Sequence, residues 1–598
     1  MNDSLKKIYR MLSRGEKRLL MVTWILMLFS GVMQVFGIVS IMPFISVVAN
    51  TSIIHKNKYL SWAYEYFGFT SDLGFLVFLG VLVVVFILLA NLSIGTTRWI
   101  EARMITHISV KIQNQLLEQY LYKPYQFFLT RNTATLAKTL LGETTQAISG
   151  VLIPGIEMVN QAILSLMILI LLVVADPILA LLSFATLGTL FGTVYYFIRK
   201  KLRVIGRQRV QANGRRFKSA QEALSGIKDI KLMGKEQAYL HYFTRAVKSM
   251  FKLNERARIL QQIPPIIMEV IVMSGIMAMV LYLLISEGSF QEALPIITLF
   301  AFAAYRLKPS LQTVFQKWST IKYSMAALEN VIEDIEAEEE GNIRLERTLE
   351  RLPIRSEILV SKLEFSYPNT ERSALKKVDL QIPANTSVAF VGPTGSGKTT
   401  LVDVLLGLLK KGGGSIMIDG VELTEKNLRK WQNNIGYIPQ HIYLTDDTVA
   451  ANIAFGTPKE RMDMDAIERS AKAAHLHDFV MELPNGYDTV VGERGVRFSG
   501  GQRQRIGIAR ALYHDPEVLV MDEATSALDN LTEKAVMEAI SELSGSKTIL
   551  MIAHRLTTVE NCDIIFLLEN GEIVDKGTFT ELIEKNDHFR ELALSGKE

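Results

Sequence analysis

The sequence predicts two domains in one chain: an α-helical membrane domain of six transmembrane helices, followed by an α/β P-loop nucleotide-binding domain. Three observations predict this. Long runs free of charged residues recur in the first half, as a helix crossing the hydrocarbon core requires over ~20 residues. The acidic run Glu333 to Glu340 then marks a change of character, after which short β-rich runs alternate with helical patterns. Within that second half, the apolar run Ser387 to Val391 leads straight into Gly392-Pro393-Thr394-Gly395-Ser396-Gly397-Lys398-Thr399, a glycine-rich loop that ends in Lys and Thr. Composition agrees: 49% of the 598 residues are hydrophobic and the mean hydropathy is +0.21.

From Leu19 to Asn50 there is no Asp, Glu, Lys or Arg, which makes this the first span. Further spans are expected at Phe75 to Leu92, Val151 to Ala175, Ile178 to Ile198, Ile263 to Ile285 and Leu294 to Tyr305. Only Asp176 and Pro177 separate the third from the fourth, so these two form a hairpin. Arg199, Lys200, Lys201, Arg203, Arg207, Arg209, Arg215, Arg216 and Lys218 follow the fourth span, whereas Asp176 to Pro177 and Ser286 to Ala293 carry no Lys or Arg. Positive charge accumulates on the cytoplasmic side, so both termini and the second domain are expected inside the cell. The polar but helically patterned segments Thr97 to Lys138 and Lys200 to Gln262 are expected to project into the cytoplasm as helices. The stretch His55 to Phe69 mixes Tyr59, Trp62, Tyr64, Tyr66 and Phe67 with Lys56, Lys58 and Glu65. It reads as a short interfacial helix or as an aromatic-belt anchor.

The domain limits expected are 1–325 for the membrane domain, 326–355 for a linker and 356–598 for the nucleotide domain. The single cysteine, Cys562, excludes an intrachain disulfide and reads as a small buried apolar residue. A net charge of +4 without an Arg-rich or aromatic-interleaved tract argues against nucleic acid as a partner. The basic N-terminus lacks the short apolar core and cleavage site of a signal peptide, and is expected to be a cytoplasmic lead-in.

The glycines of the loop let backbone N–H groups close around phosphate, while Lys398 offers a charge to the β and γ phosphates and Thr399 an oxygen to Mg²⁺. The strand VLVM ends at Asp522-Glu523. One carboxylate there suits Mg²⁺ through water, and the second suits the orientation or deprotonation of an attacking water.

Phe498-Ser499-Gly500-Gly501-Gln502 followed by Arg503-Gln504-Arg505 resembles the signature motif of ABC transporters, with Phe498 where leucine is usual. In the same order as in that family, Gln440 resembles the Q-loop glutamine, Ser526-Ala527-Leu528-Asp529 the D-loop and His554 the switch histidine. Tyr367 resembles the aromatic residue that stacks on adenine, and Glu493-Arg494-Gly495 the exporter X-loop. The resemblance implies a transport ATPase that binds ATP and Mg²⁺. Gly392 through Thr400, Tyr367, Gln440, Ser499 to Gln502 and Asp529 would hold nucleotide; Thr399, Gln440 and Asp522 would hold the metal; Glu523 and His554 would be catalytic. It also implies that the signature helix completes the site of an opposite subunit, with a second copy of this chain as the simplest partner and an unlike half as the alternative. Pro124 to Arg131 and Ala212 to Lys218 resemble coupling helices.

Arg306 and Lys308 fall roughly 12 to 15 residues past the outer end of the sixth span, a depth that is costly unless the charge faces water, protein or an anion. They either line a cavity for an anionic substrate or snorkel to headgroups. Glu157 and Glu269, at similar depth, read as helix–helix partners or cavity residues. IMPFISVV in the first span, the aromatic outer segment and YRLKPS in the sixth are similar to the PglK-type bacterial flippases of lipid-linked oligosaccharides. That resemblance implies a lipid-linked anionic substrate in the bacterial inner membrane. The alternatives are an exporter of another lipid such as one like lipid A, a drug or a peptide, a soluble ABC ATPase, and an ATP-gated channel or regulator.

Overall fold

A computed structural model describes residues 13–175, 177–287, 290–336, 350–368, 370, 372–492, 495–522, 533, 537–538, 540, 542–553 and 556–595. They fall into two compact units. One holds the residues up to Lys123 and Phe128–Asn342; the other holds Pro124–Phe127 and the residues from Ile343 onward.

The first unit is helical. Helix α1 (Arg14–Val39) is capped by Ser13, whose hydroxyl and the Glu16 carboxylate satisfy each other's backbone N–H groups. The first span is broken at Ser40, and α2 (Ile41–Ala49) continues it. The outer stretch folds as two short helices, α3 (Ile53–Lys56) and α4 (Lys58–Tyr66), with Trp62, Tyr66 and Phe67 exposed. Helix α5 (Asp72–Leu121) holds the second span and runs on unbroken; α6 (Tyr125–Thr130) follows Pro124. The run to Ala175 consists of α7 (Thr133–Ala137), a π-helical turn at Lys138–Glu143, α8 (Thr144–Ala147), a second π turn at Ile148–Leu152, and α9 (Ile153–Ala175). Then come α10 (Pro177–Ser225), α11 (Ile227–Met233), α12 (Glu236–Glu287) and α13 (Phe290–Glu336). Among the described residues, the helical runs Arg14–Ala49, Asp72–Leu121 and Thr133–Ala175 are long and apolar enough to cross a membrane. The other three apolar segments lie inside α10, α12 and α13.

Two features differ from the sequence expectation. Ala212 to Lys218 lie in mid-helix on α10, and the short helix is α11, set off by Gly226 and by Gly234 in the left-handed region at φ 61°. Gly214 alone does not stop a helix that has neighbours to pack on. The last helix also continues past residue 325, because Ala327, Leu328, Val331, Ile332 and Ile335 form a buried stripe at helical spacing. Residues 326–336, expected in the linker, are therefore helix.

Close packing joins three long helices. A Cβ on Gly206 of α10 would lie 2.1 Å from the Tyr323 carbonyl oxygen of α13, and one on Gly150 would lie 2.1 Å from the Ser324 hydroxyl. Gln146 spans the same joint, donating to Ser324 at 2.7 Å and accepting from Arg209 at 3.0 Å.

The second unit is α/β. An antiparallel sheet of order β2-β1-β4-β5 contains β1 (Glu357–Ser366), β2 (Ser373–Pro383), β4 (Gly413–Ile418) and β5 (Val421–Glu422). The main sheet has the order β10-β9-β3-β8-β7-β6, from β3 (Ser387–Val391), β6 (Ile435–Ile438), β7 (Val518–Asp522), β8 (Thr548–Ile552), β9 (Ile564–Glu569) and β10 (Glu572–Gly577). The five strands from β9 to β6 run parallel, and β10 at the edge is antiparallel. All five residues of β3 are buried, with Val388 and Phe390 in one core and Ala389 and Val391 in the other. A sheet covered on both faces explains why its strands read as unbroken apolar runs. Cys562 is buried in one of these cores, and burial pushes its thiol up to about 12.

Candidate functional site

The glycine-rich loop leaves β3 at its carboxyl end and enters α14 (Lys398–Leu405). Gly392 has φ 149°, and a Cβ there would lie 2.1 Å from the Leu568 carbonyl, so only glycine fits. Gly397, at φ 105°, approaches the Ala374 carbonyl in the same way. The loop curls over the Lys398 ammonium, which donates to the carbonyls of Gly392 at 2.7 Å and Pro393 at 3.1 Å. This holds a positive charge at a helix N-terminus, where backbone N–H groups and the helix dipole already favour phosphate. The buried Ser396 hydroxyl has no hydrogen-bond partner among the described residues, and Thr399 is exposed in the first helical turn. Beside the loop, Tyr367 stands edge-on to Phe365 with 5.0 Å between ring centres, and its hydroxyl is 2.9 Å from that of Thr400.

Asp522 ends β7 next to the loop. Asp403, on α14, is pushed up to about 6 by burial and by the negative charge of Asp522. Burial and the same two carboxylates push the Tyr437 phenol of β6 upward, and Tyr437 shares a hydrogen bond with Asp522. A carboxylate whose ionisation a neighbouring carboxylate disfavours marks a place where a cation is welcome. The donors available are a Thr399 hydroxyl, an Asp522 carboxylate and a Gln440 amide, all oxygen ligands suited to Mg²⁺. Strand register brings their backbones together: Ile438 pairs with Met521, so Gln440, two residues past β6, leaves the sheet beside Asp522. Ile552 pairs with Asp522 on the other side. Glu523 follows β7 and His554 follows β8 in sequence; both, together with Asp529, Ser526 to Leu528, Glu493 and Arg494, lie outside the described residues.

The signature segment opens α19 (Gly500–Leu512), the nineteenth helix after α15 (Leu428–Gln432), α16 (Val449–Ile453), α17 (Met464–Ala473) and α18 (His477–Met481). Ser499 is its N-cap: the Ser499 hydroxyl accepts from the Gln502 N–H at 3.3 Å, and the Gln502 side chain accepts from the Ser499 N–H at 2.9 Å. Phe498 is buried and packs edge-on against Phe479, so the exchange of leucine for phenylalanine keeps the apolar plug.

Two residues that the motifs do not single out complete the geometry. Asp403 is one; its signal was a carboxylate inside the otherwise apolar TTLVDVL. Arg510 is the other. It donates to the Asn452 carbonyl at 2.8 Å, the Tyr443 carbonyl at 2.8 Å and the Asn452 side chain at 3.2 Å, and it covers the Phe455 ring at 4.6 Å. Burial brings it down to about 10. It thereby ties the signature helix to the segment that follows Gln440.

In the membrane unit, Lys308 is engaged: its ammonium is 2.9 Å from the Glu269 carboxylate of α12. Lys317 pairs with Glu157 of α9. Both glutamates are thus helix–helix partners. Arg306, half-buried and two residues before Lys308, forms no ion pair among the described residues. Gln312 donates to the Pro265 carbonyl at 3.2 Å, next to the paired prolines inside α12.

Comparison with known proteins places this geometry. The family model described as ABC transporter matches residues 375–526, and that described as ABC transporter transmembrane region matches residues 20–305. The chain is 32% identical over 489 residues to an ATP-dependent lipid A-core flippase of Saccharophagus degradans, covering 81% of each chain. It is 32% identical over 498 residues to a protein of the same description from Alkalilimnicola ehrlichii, covering 83% of each. A bacterial Atm1-family ABC exporter, solved with ATP bound, matches with a TM-score of 0.79 over 97% of this chain and 98% of that one. At 20% identity the last likeness carries the fold alone.

Proposed function

The chain belongs to the ABC transporters and is a membrane-embedded transport ATPase, and from that premise we propose that it flips an anionic, saccharide-bearing lipid of the lipid A-core type across the bacterial inner membrane. The observation that carries this reading is the match to lipid A-core flippases over both halves of the chain. Arg306 on α13 supports an anionic substrate: Lys308 and Lys317 are engaged by glutamates, whereas Arg306 forms no ion pair among the described residues and is placed to meet a phosphate or carboxylate.

Two copies work together. Each P-loop binds ATP and receives Ser499 to Gln502 of the opposite copy, so that both nucleotides lie between two nucleotide domains. Magnesium held by Thr399, Gln440 and Asp522 would offset charge on the β and γ phosphates. Lys398 and the loop N–H groups bind the same oxygens, while Glu523 orients the attacking water and takes its proton. His554 positions the γ phosphate, Asp529 meets the opposite site, and Tyr367 stacks on adenine. The basic segment after Ile198 puts the termini and nucleotide domains in the cytoplasm. Domain limits at 1–325, 326–355 and 356–598 shift in this reading to a membrane domain that ends with α13 at Glu336.

A lipid-linked oligosaccharide is the second reading. The exposed Tyr59, Trp62 and Tyr66 of α4 favour it, as an amphipathic outer element beside a long apolar tail. Proteoliposomes loaded with a labelled lipid A-core or a labelled polyprenyl-pyrophosphate oligosaccharide separate the two. ATP-dependent movement of lipid A-core, lost in Glu523→Gln and weakened in Arg306→Ala with basal ATPase kept, is expected. Movement of the oligosaccharide carrier alone establishes the second reading, and movement of neither beside robust ATPase overturns both.

A further inference from the structure

The segment from residue 199 to 262 contains 17 Lys and Arg against four Asp and Glu, whereas the whole chain has a net charge of only +4. Most of this segment is the antiparallel pair formed by the later part of α10 and the first part of α12. Between the two helices lies a cleft of about 320 Å³, within the range of small-ligand sites. Gln208, Gln211 and Arg215 line it from α10, at i, i+3 and i+7; Ser249, Lys252 and Arg256 line it from α12, at the same spacing. With Leu253 as its apolar member, the lining thus combines three cations with amide and hydroxyl groups and contains no carboxylate.

Some cations of the segment have acidic partners. Arg203 and Arg207 share Glu329, and Arg209 faces Glu143. Arg215, Lys252 and Arg256 form no ion pair among the described residues, so three like charges face a cleft whose lining holds no carboxylate. The inside-positive bias accounts for basic residues near span ends; it does not account for their convergence on a concave surface.

Depth narrows the occupant. Gln208 lies 10 residues past Ile198 and Arg256 lies seven before Ile263; Arg215 and Ser249 lie 17 and 14 residues from the same span ends. At ~1.5 Å per residue the cleft extends from roughly 10 to 25 Å beyond the spans. The headgroup layer is only ~5 to 8 Å thick on each face, so the phosphate of an ordinary phospholipid stops short of it.

We propose that this cleft is a binding site for a multivalent phosphoanion of sugar-phosphate size. Two sources present that chemistry at this depth: the extended phosphosaccharide head of a lipid substrate awaiting entry, or a free cytosolic phosphoanion. The first rests on the flippase reading above; the second is independent of it.

The direct test titrates glucose 1,6-bisphosphate into the purified full-length protein, with saturating ADP occupying the P-loop. Binding weakened about tenfold or more in Arg215→Ala/Lys252→Ala/Arg256→Ala, and retained in the charge-matched Lys459→Ala/Arg461→Ala/Lys585→Ala, is expected. The wild-type affinity should also fall as salt rises. Equal binding in the two triple variants, or none to the wild type, overturns the proposal. Stimulation of ATPase in nanodiscs then separates the sources. A raised KM for a phosphosaccharide lipid with kcat unchanged identifies the lipid head. An unchanged KM beside lost bisphosphate binding identifies the free anion. If no phosphosaccharide lipid stimulates the wild type, the flippase reading fails while the direct titration still decides the cleft.

Discussion

Lys398 and Asp403 sit on one eight-residue helix under opposite demands. In the proposed site Lys398 meets phosphate, and the Gly392 and Pro393 carbonyls hold its ammonium in the loop. Lys398→Ala should weaken nucleotide binding by about tenfold or more, because phosphate charge is then poorly compensated; unchanged affinity for a fluorescent ATP analogue would count against the loop's role. Asp403 is an acid whose ionisation the folded state disfavours. Its folded pKa of about 6 lies above the ordinary 3.8, so it is neutral in both states at low pH, and stability declines as pH rises through this window. Asp403→Asn removes that penalty. Nucleotide-free Asp403→Asn should therefore melt higher than the wild type above pH 6, with the gain shrinking to nothing below about pH 4. A gain that persists at low pH would show another cause. The motif pattern marked Lys398 but not Asp403, because the carboxylate gains its meaning only from Asp522 on a strand far along the chain.

Among the elements, the joint of α10, α13 and the π-turn run illustrates what spacing does not disclose. Gly150 and Gly206 stand in segments that read as ordinary helix, yet each lets a backbone come within contact distance of α13. Gly206→Ala would push a methyl group into a rigid carbonyl at 2.1 Å. Overpacking of this kind costs about 1 to 3 kcal/mol, so the variant should melt lower in detergent while nucleotide affinity stays unchanged. An unaltered melting temperature would mean that the helices separate freely there. The same blindness misplaced the short helix at Ala212 to Lys218. That placement rested on a resemblance alone; the helix ends at Gly226, and Gly234, a left-handed residue, closes α11. At Ser499 the reverse holds: Ser-x-x-Gln before a helical pattern is a capping box in sequence, and the structure contains it.

For the whole molecule, the proposed service of each signature helix to the opposite site would make hydrolysis a property of two copies. Mixing wild-type chains with increasing Glu523→Gln chains should then depress ATPase more steeply than the wild-type fraction falls; strict proportionality would mean independent sites. The sequence by itself determined the architecture and the nucleotide chemistry. Charge-free runs longer than a bilayer, a strand feeding a glycine-rich loop, and the order of motifs from Tyr367 to His554 are local patterns that depend on covalent spacing and the period of one element. Tertiary structure alone decided which charges are spoken for. Lys308 and Arg306 are two residues apart and looked equivalent, yet Glu269 on another helix neutralises one and leaves the other. It also decided that residues 326–336 remain helix and that Arg215, Lys252 and Arg256 converge on one cleft. Partners in such cases come from remote parts of the chain, and an electrostatic interaction that falls off over a few ångströms has no signature in sequence distance.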